Sequence, residues 1–158
     1  MVMKLMSFLS RPGLVAVGAL ALTLGSAMVF ARQAPERTSI TIYKTPTCGC
    51  CGKWVSHMQA NGFDTTVVDV QDTSPMRAKA GVPPGLGSCH TAFVGGYAVE
   101  GHAPADIVHK MLKEKPAIAG IAVPGMPMGS PGMEGPSSQS YNIVAFDKQG
   151  KTTVFASR

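Results

Sequence analysis

The sequence predicts an α/β fold in the order β-α-β-α-β-β-α, with an additional C-terminal β-hairpin. Three observations carry that expectation. Short β-branched runs alternate with segments of helical periodicity from Ser39 to Lys113. Gly95-Gly96 separates two apolar runs by two residues, with glycine at both positions that need positive φ, which marks a tight hairpin. Asp147-Lys148-Gln149-Gly150 separates a second pair of apolar runs near the C-terminus.

Taken in order, Ser39-Ile40-Thr41-Ile42-Tyr43-Lys44 alternates as a strand does and runs directly into Thr45-Pro46-Thr47 and the first cysteines. Lys53 to Ala60 places Trp54, Val55 and Met58 on one helical face, and Gly62 follows as a C′ glycine. Phe63 to Val70 is a second strand. Ser74 is read as an N-cap with Pro75 at N1, opening a short helix through Ala80, and Gly81 to Gly87 is a Pro/Gly loop. Cys89 to Val94 and Tyr97 to Glu100 form the first hairpin. Pro104 to Lys113 is a helix with Ile107, Val108, Met111 and Leu112 inward and Asp106 in the first turn, where negative charge suits the helix dipole. Tyr141 to Phe146 and Lys151 to Phe155 form the last hairpin. Residues 116–139, rich in Pro, Gly and Met, show neither period, and so long a loop in a small domain is functional or disordered.

A length of 158 residues bounds the chain to one domain of ordinary size. The first 31 residues stand apart. Pro12 to Ala31 carries no charge, is preceded by Lys4 and Arg11, and ends in small residues, the pattern of a secretory signal peptide with cleavage after Ala31 or Ala27. An uncleaved anchor over residues 12–31 is the alternative, since about 20 apolar residues span a bilayer. Either way the remainder is expected on the far side of the membrane, periplasmic, with residues 32–38 as a short linker and 39–158 as the domain. Without Lys4 and Arg11 the 14 cations fall to 12 against 9 acids, scattered along the chain, which gives no basic footprint for nucleic acid.

Export makes the four cysteines informative. Thr47-Cys48-Gly49-Cys50-Cys51-Gly52 lies between the first strand and the first helix, where free backbone N–H groups and the helix dipole favour thiolate. In a thioredoxin-like fold with this element order, the segment entering the third strand lies beside that helix N-terminus. Ser88-Cys89-His90 is therefore expected next to the other three sulfurs. Paired structural disulfides are the default of an oxidising compartment, but adjacent Cys50 and Cys51 do not readily bond each other. Thiol-disulfide exchange through Cys48 and Cys51, spaced C-x-x-C, is a second reading. Against it, Cys50 competes as a third nucleophile and Cys89 occupies the place where thioredoxin-like oxidoreductases carry a cis-proline. The third reading is a metal site. Four thiolates suit Zn(II), but thiolate and thioether surroundings select Cu(I), and several bridged monovalent ions bring four thiolates closer to neutrality than one Zn(II) does.

Met126, Met128 and Met133 place three thioethers in the Pro/Gly loop, where they suit transient capture of Cu(I), with docking of the loop on the domain surface as the plainer explanation. Met58 and Met111 read as core filling. His57, His90 and His102 are secondary metal candidates. His90 adjoins Cys89, and a regular strand would send the two side chains to opposite faces, so both as ligands requires an irregular backbone there.

The strand Ile40-Thr41-Ile42-Tyr43-Lys44, the run Pro46-Thr47-Cys48-Gly49-Cys50-Cys51-Gly52-Lys53-Trp54, and the segments Gly87-Ser88-Cys89-His90-Thr91, Val99-Glu100-Gly101-His102-Ala103-Pro104 and Gly125-Met126-Pro127-Met128-Gly129-Ser130-Pro131-Gly132-Met133-Glu134 together resemble the CopG-like copper-resistance proteins. The resemblance spans Ser39 to Phe155. It implies a thioredoxin-like fold, a periplasmic location and a copper site built by cysteines. Cys48, Cys50, Cys51 and Cys89 match the family's sulfur positions, which implies a thiolate-bridged multinuclear copper cluster. The expectation is an exported copper-binding protein for copper resistance that holds Cu(I), with Ag(I) or Zn(II) as alternative metals. It would interconvert Cu(I) and Cu(II) or hand copper to periplasmic export or delivery proteins. A periplasmic thiol-disulfide oxidoreductase using Cys48 and Cys51 is the alternative.

Overall fold

A computed structural model describes residues 36–158; the expected leader and most of the linker lie outside the described residues. Ten elements follow one another: β1 (Thr38–Lys44), α1 (Gly49–Ala60), β2 (Phe63–Asp69), α2 (Ser74–Ala80), β3 (His90–Val94), β4 (Tyr97–Glu100), α3 (Ala105–Glu114), β5 (Gly120–Ala122), β6 (Asn142–Phe146) and β7 (Thr152–Ser157). The strands form one seven-stranded mixed sheet in the order β2-β1-β3-β4-β5-β6-β7. β1 pairs with β2 in parallel and with β3 antiparallel; β4 is antiparallel to β3 and parallel to β5, and β6 and β7 complete the sheet as an antiparallel pair. Among the described residues no helix is long and apolar enough to cross a membrane.

Helix α1 starts at Gly49, four residues before its expected start, with Cys48 as N-cap. Two glycines of low helix propensity mask the first turn in the sequence. The buried set is Cys51, Trp54, Val55 and Met58, at i, i+3, i+4 and i+7. Cys51 thus belongs to the core face of the helix. Gly62 takes φ +89° just beyond the helix end, as its C′ position requires. The N-cap of α2 is Thr73 rather than Ser74, because Asp72 Oδ1 accepts the Ser74 N–H and draws Ser74 into the first turn. Gly95 and Gly96 take φ of +55° and +87°, and the β3–β4 turn closes as the sequence predicts.

The expected long loop contains a strand. Gly120-Ile121-Ala122 pairs in parallel with β4 and antiparallel with β6, and so joins the C-terminal hairpin to the main sheet. Three residues are too few to show a period, and Gly120 hides the signal further. A Cβ there would run into the Ala98 carbonyl.

Alternation along β4 and β5 sends Val99 and Ile121 into the larger core with α1 and α3, and Ala98 and Ala122 to the opposite face with Phe146 and part of the Ala80–Leu86 segment. Lys44 at the end of β1 pairs with His90 at the start of β3, and Glu100 at the end of β4 pairs with both Thr91 and Ala122. Four connections therefore meet at one end of the sheet. They are the Cys48 turn after β1, Cys89 before β3, His102 after β4, and the Met-rich segment after β5.

Candidate metal centre

The convergence at that sheet end places two overlapping groups of metal-ligating atoms. Cys48, Cys50, Cys51 and Cys89 form one; Cys51, Cys89, His90 and His102 form the other, and within each group the ligand atoms lie within 4.8 Å of one another. Cys51 and Cys89 belong to both. Cys48 and Cys51 form a disulfide, while Cys50 and Cys89 are free. Cys50 Sγ lies 3.6 Å from Cys48 Sγ, and Cys51 Sγ lies 3.8 Å from the Cys89 carbonyl oxygen.

The irregular backbone required for Cys89 and His90 to share a site is present: Cys89 occupies a bend immediately before β3. His90 is fully buried, with its ring 4.3 Å from the Trp54 ring, and Trp54 Nε1–H donates to the Ala103 carbonyl at 2.8 Å. His90 Nε2 is buried with no hydrogen-bond partner. Such an atom is costly to leave unpaired, and the ring's other nitrogen, Nδ1, is the one that lies 3.9 Å from Cys89 Sγ and faces the sulfur site. His102 is oriented from behind. Its Nδ1 lies 2.7 Å from the Pro131 carbonyl oxygen, which assigns the proton to Nδ1 and leaves the Nε2 lone pair facing Cys89 Sγ at 3.3 Å.

Electrostatics keep the metal-free site uncharged around these groups. Burial pushes the Cys89 thiol up to about 11, with the nearby Cys50 adding to the shift against a hydrogen bond from Ser88. Burial, then the neighbouring His102, holds His90 down at about 3, and burial lowers His102 as well. The helix N-terminus therefore does not make Cys89 a thiolate; desolvation wins there. Both imidazoles are neutral at neutral pH and keep lone pairs. Two soft thiols, a reducible disulfide and two neutral imidazoles are a donor set that fits a soft or borderline metal ion.

His57, the third histidine candidate, is in neither group. Its Nε2 accepts the Ala105 N–H at 3.1 Å, at the first turn of α3, and burial holds its pKa below the usual value of about 6.5. The folded state thus disfavours the protonated ring, and the unfolded chain binds more protons. Its contribution to stability is complete above about pH 6.5 and is lost as pH falls through the folded pKa. His90 and His102 act with the same sign. A urea series on metal-free protein is expected to show a midpoint that drops below pH 6.5, and His57→Gln, which keeps an acceptor, should shallow that drop. Equal slopes in the two proteins would assign the effect to the other histidines.

The Met-rich segment is built, not loose. Gly129 N–H donates to the Met133 carbonyl at 3.0 Å, Met133 N–H to the Ser130 carbonyl at 2.8 Å, and Gln139 N–H to the Met128 carbonyl at 2.9 Å. Gly132, at φ +88°, presses on α1 so closely that a Cβ would lie 2.7 Å from the Cys50 carbonyl oxygen and 3.0 Å from the Trp54 nitrogen. Met128 and Met133 line a cleft with Cys50; Met126 does not.

Glu100 is the residue that sequence reasoning placed only in a strand. Fully buried, it accepts the Arg77 Nε–H at 3.0 Å, the Ser88 N–H at 2.6 Å and the Thr91 hydroxyl at 2.6 Å, which fixes the backbone just before Cys89. A charged residue at a buried position of strand alternation was its one available signal.

Comparison with known proteins follows the same residues. The family model described as "Protein of unknown function, DUF411" matches residues 86–133, a stretch that holds Cys89, His90, His102 and the three loop methionines. A search of curated proteins gives no match. Among solved structures, "Copper resistance protein copG- Form 2" is 41% identical, with a TM-score of 0.74, over 78% of this chain and 99% of that one. The Form 1 structure of that protein is also 41% identical, with a TM-score of 0.73, over 78% of this chain and 98% of that one. At that identity and coverage, the chain belongs to the CopG family of copper resistance proteins.

Proposed function

We propose that this chain is an exported copper-binding protein of copper resistance, in which Cys48, Cys50, Cys51 and Cys89 hold Cu(I) as a thiolate-bridged multinuclear cluster with His90 and His102 as nitrogen ligands. The sharing of Cys51 and Cys89 between two ligand groups carries this reading. One thiolate that serves two ions is what a bridge is, and several Cu(I) ions offset four thiolates where one Zn(II) leaves a double negative charge. Ag(I) has the same charge and softness and is the expected substitute. The thioredoxin-like description is part of this proposal, supported by the strand order β2-β1-β3-β4 with the cysteine turn between β1 and α1. Periplasmic residence rests on the leader pattern of residues 1–31. Hand-over to export or delivery proteins and Cu(I)/Cu(II) interconversion are the roles that an exchangeable thiolate site suits.

The Cys48–Cys51 disulfide favours a second reading, a thiol-disulfide oxidoreductase. In that role half-buried Cys48 would be attacked or attack, and the buried Cys51 would resolve the mixed disulfide. One experiment separates the two. Protein lacking residues 1–31, reduced and loaded with Cu(I) without oxygen, is expected to retain more than one copper per chain after desalting. No retained copper, with insulin reduction that needs Cys51 and ignores Cys89→Ser, would replace the copper reading with the oxidoreductase one.

A further inference from the structure

An imidazole that binds a metal ion is aimed by a partner behind it, because the terminal torsion of histidine has broad minima and does not aim the ring by itself. His102 has such a partner, the Pro131 carbonyl oxygen 2.7 Å from Nδ1. His90 has no counterpart. Its Nε2 is buried without a hydrogen-bond partner, and its Nδ1 lies 3.9 Å from Cys89 Sγ, on the side of the sulfurs. What lies against its ring is Trp54, with centroids 4.3 Å apart and planes inclined by 38°. Both residues are fully buried, so a ring packed at that distance has no free space in which to turn. Packing on the indole does for His90 what a hydrogen bond does for His102.

The indole is itself fixed from both ends. Its backbone belongs to the buried face of α1, three residues after Cys51. Its Nε1–H donates to the Ala103 carbonyl at 2.8 Å, a bond between buried groups. Ala103 follows His102, and its own N–H donates to the Gly101 carbonyl at 3.0 Å, which closes a tight turn around His102. One side chain therefore restrains the ring of His90 and the backbone that carries His102, and the two imidazole rings lie 5.2 Å apart. We propose that Trp54 is the positioning residue of both histidines: ring packing on His90 and the hydrogen bond beside His102 hold their nitrogens toward the sulfurs before metal arrives. The inference rests on the proposed copper-holding role and names what preorganises its nitrogen side. Phenylalanine at this position keeps an aromatic ring in the core but has no N–H for Ala103, and its smaller ring leaves space beside His90.

The test compares Trp54→Phe with Phe146→Leu, a change in the separate apolar cluster on the opposite face of the sheet. Affinity is read by competition of the reduced protein with Cu(I) bis-bicinchoninate. Trp54→Phe is expected to lower it about tenfold or more, the low end of what loss of a metal-directing partner costs. Phe146→Leu should bind as the parent does, although it too loses stability. In metal-free protein, the ring-nitrogen NMR signals of His90 and His102 should move in Trp54→Phe and stay in place in Phe146→Leu. Parental affinity in Trp54→Phe, unmoved ring signals, or an equal loss in Phe146→Leu would overturn the positioning role and return Trp54 to core filling, with the copper-holding role intact. A parent that takes no copper would overturn that role and this one with it. A second measurement does not need the variants. Trp54 is the one tryptophan of the chain, so its indole N–H gives a single signal. Ag(I) added to the reduced parent should shift that signal and leave it slow to exchange with solvent deuterium. An unmoved or rapidly exchanging signal would also overturn the positioning role.

Discussion

Cys51→Ser is expected to strip more copper from the reduced protein than Cys48→Ser does. Cys51 belongs to both ligand groups and Cys48 to one, so in the proposed cluster the first change removes a bridge and the second an end ligand. Serine offers a harder oxygen donor in a position with no exposure to water, where a proton is costly to lose. Loss of an outer partner weakens metal binding roughly 10–100-fold, and loss of a shared ligand should exceed that. Cys89→Ser should behave like Cys51→Ser, since Cys89 is the other shared sulfur. The check is copper per chain after anaerobic loading, with competition against a Cu(I) chelator for affinity and circular dichroism to establish folding. Equal losses for the Cys48 and Cys51 variants would remove the bridging argument.

The candidate site was legible in the sequence where chemistry and topology agreed. Cys48, Cys50 and Cys51 announce themselves by spacing, and the expected place of the segment entering the third strand, beside the N-terminus of the first helix, brings Cys89 to them; the Lys44–His90 register shows how. The parts that were not legible depend on contacts across the fold. His90 and His57 look alike as lone histidines, yet one has an unpartnered buried nitrogen and the other accepts the Ala105 N–H. Met126, Met128 and Met133 are equivalent in sequence, and the turn at Gly129 and Gly132 decides which two line the cleft. The start of α1 was obscured by Gly49 and Gly52, although Cys51 already lay three residues before Trp54 on the same face. β5 fell below the length at which any period can be read.

Glu100→Ala is expected to destabilise the metal-free protein by about 3–5 kcal/mol, the range for breaking a buried ion pair by removing one partner. The lower end applies, because the Arg77 side chain is 27% exposed and can turn to water, whereas Glu100 is fully buried. The Ser88 N–H and the Thr91 hydroxyl lose their acceptor; an unpaired buried donor such as Thr91 costs about 1–3 kcal/mol, and the part-buried Ser88 N–H costs less. Arg77 also donates to the Ser88 carbonyl at 2.6 Å and to the Thr73 hydroxyl at 3.1 Å, so one carboxylate holds α2, β3 and the bend at Cys89 in a single network. Glu100→Gln keeps the shape and can still accept from Ser88 while its amide donates to Thr91; its cost should be roughly half as large. Urea midpoints of the three proteins check the order. Copper affinity then separates support of the fold from positioning of the ligand. Under conditions where both variants remain folded, Glu100→Ala should bind Cu(I) more weakly than Glu100→Gln, because the freed segment is the one that presents the shared sulfur of Cys89. Equal affinities would confine Glu100 to stability alone.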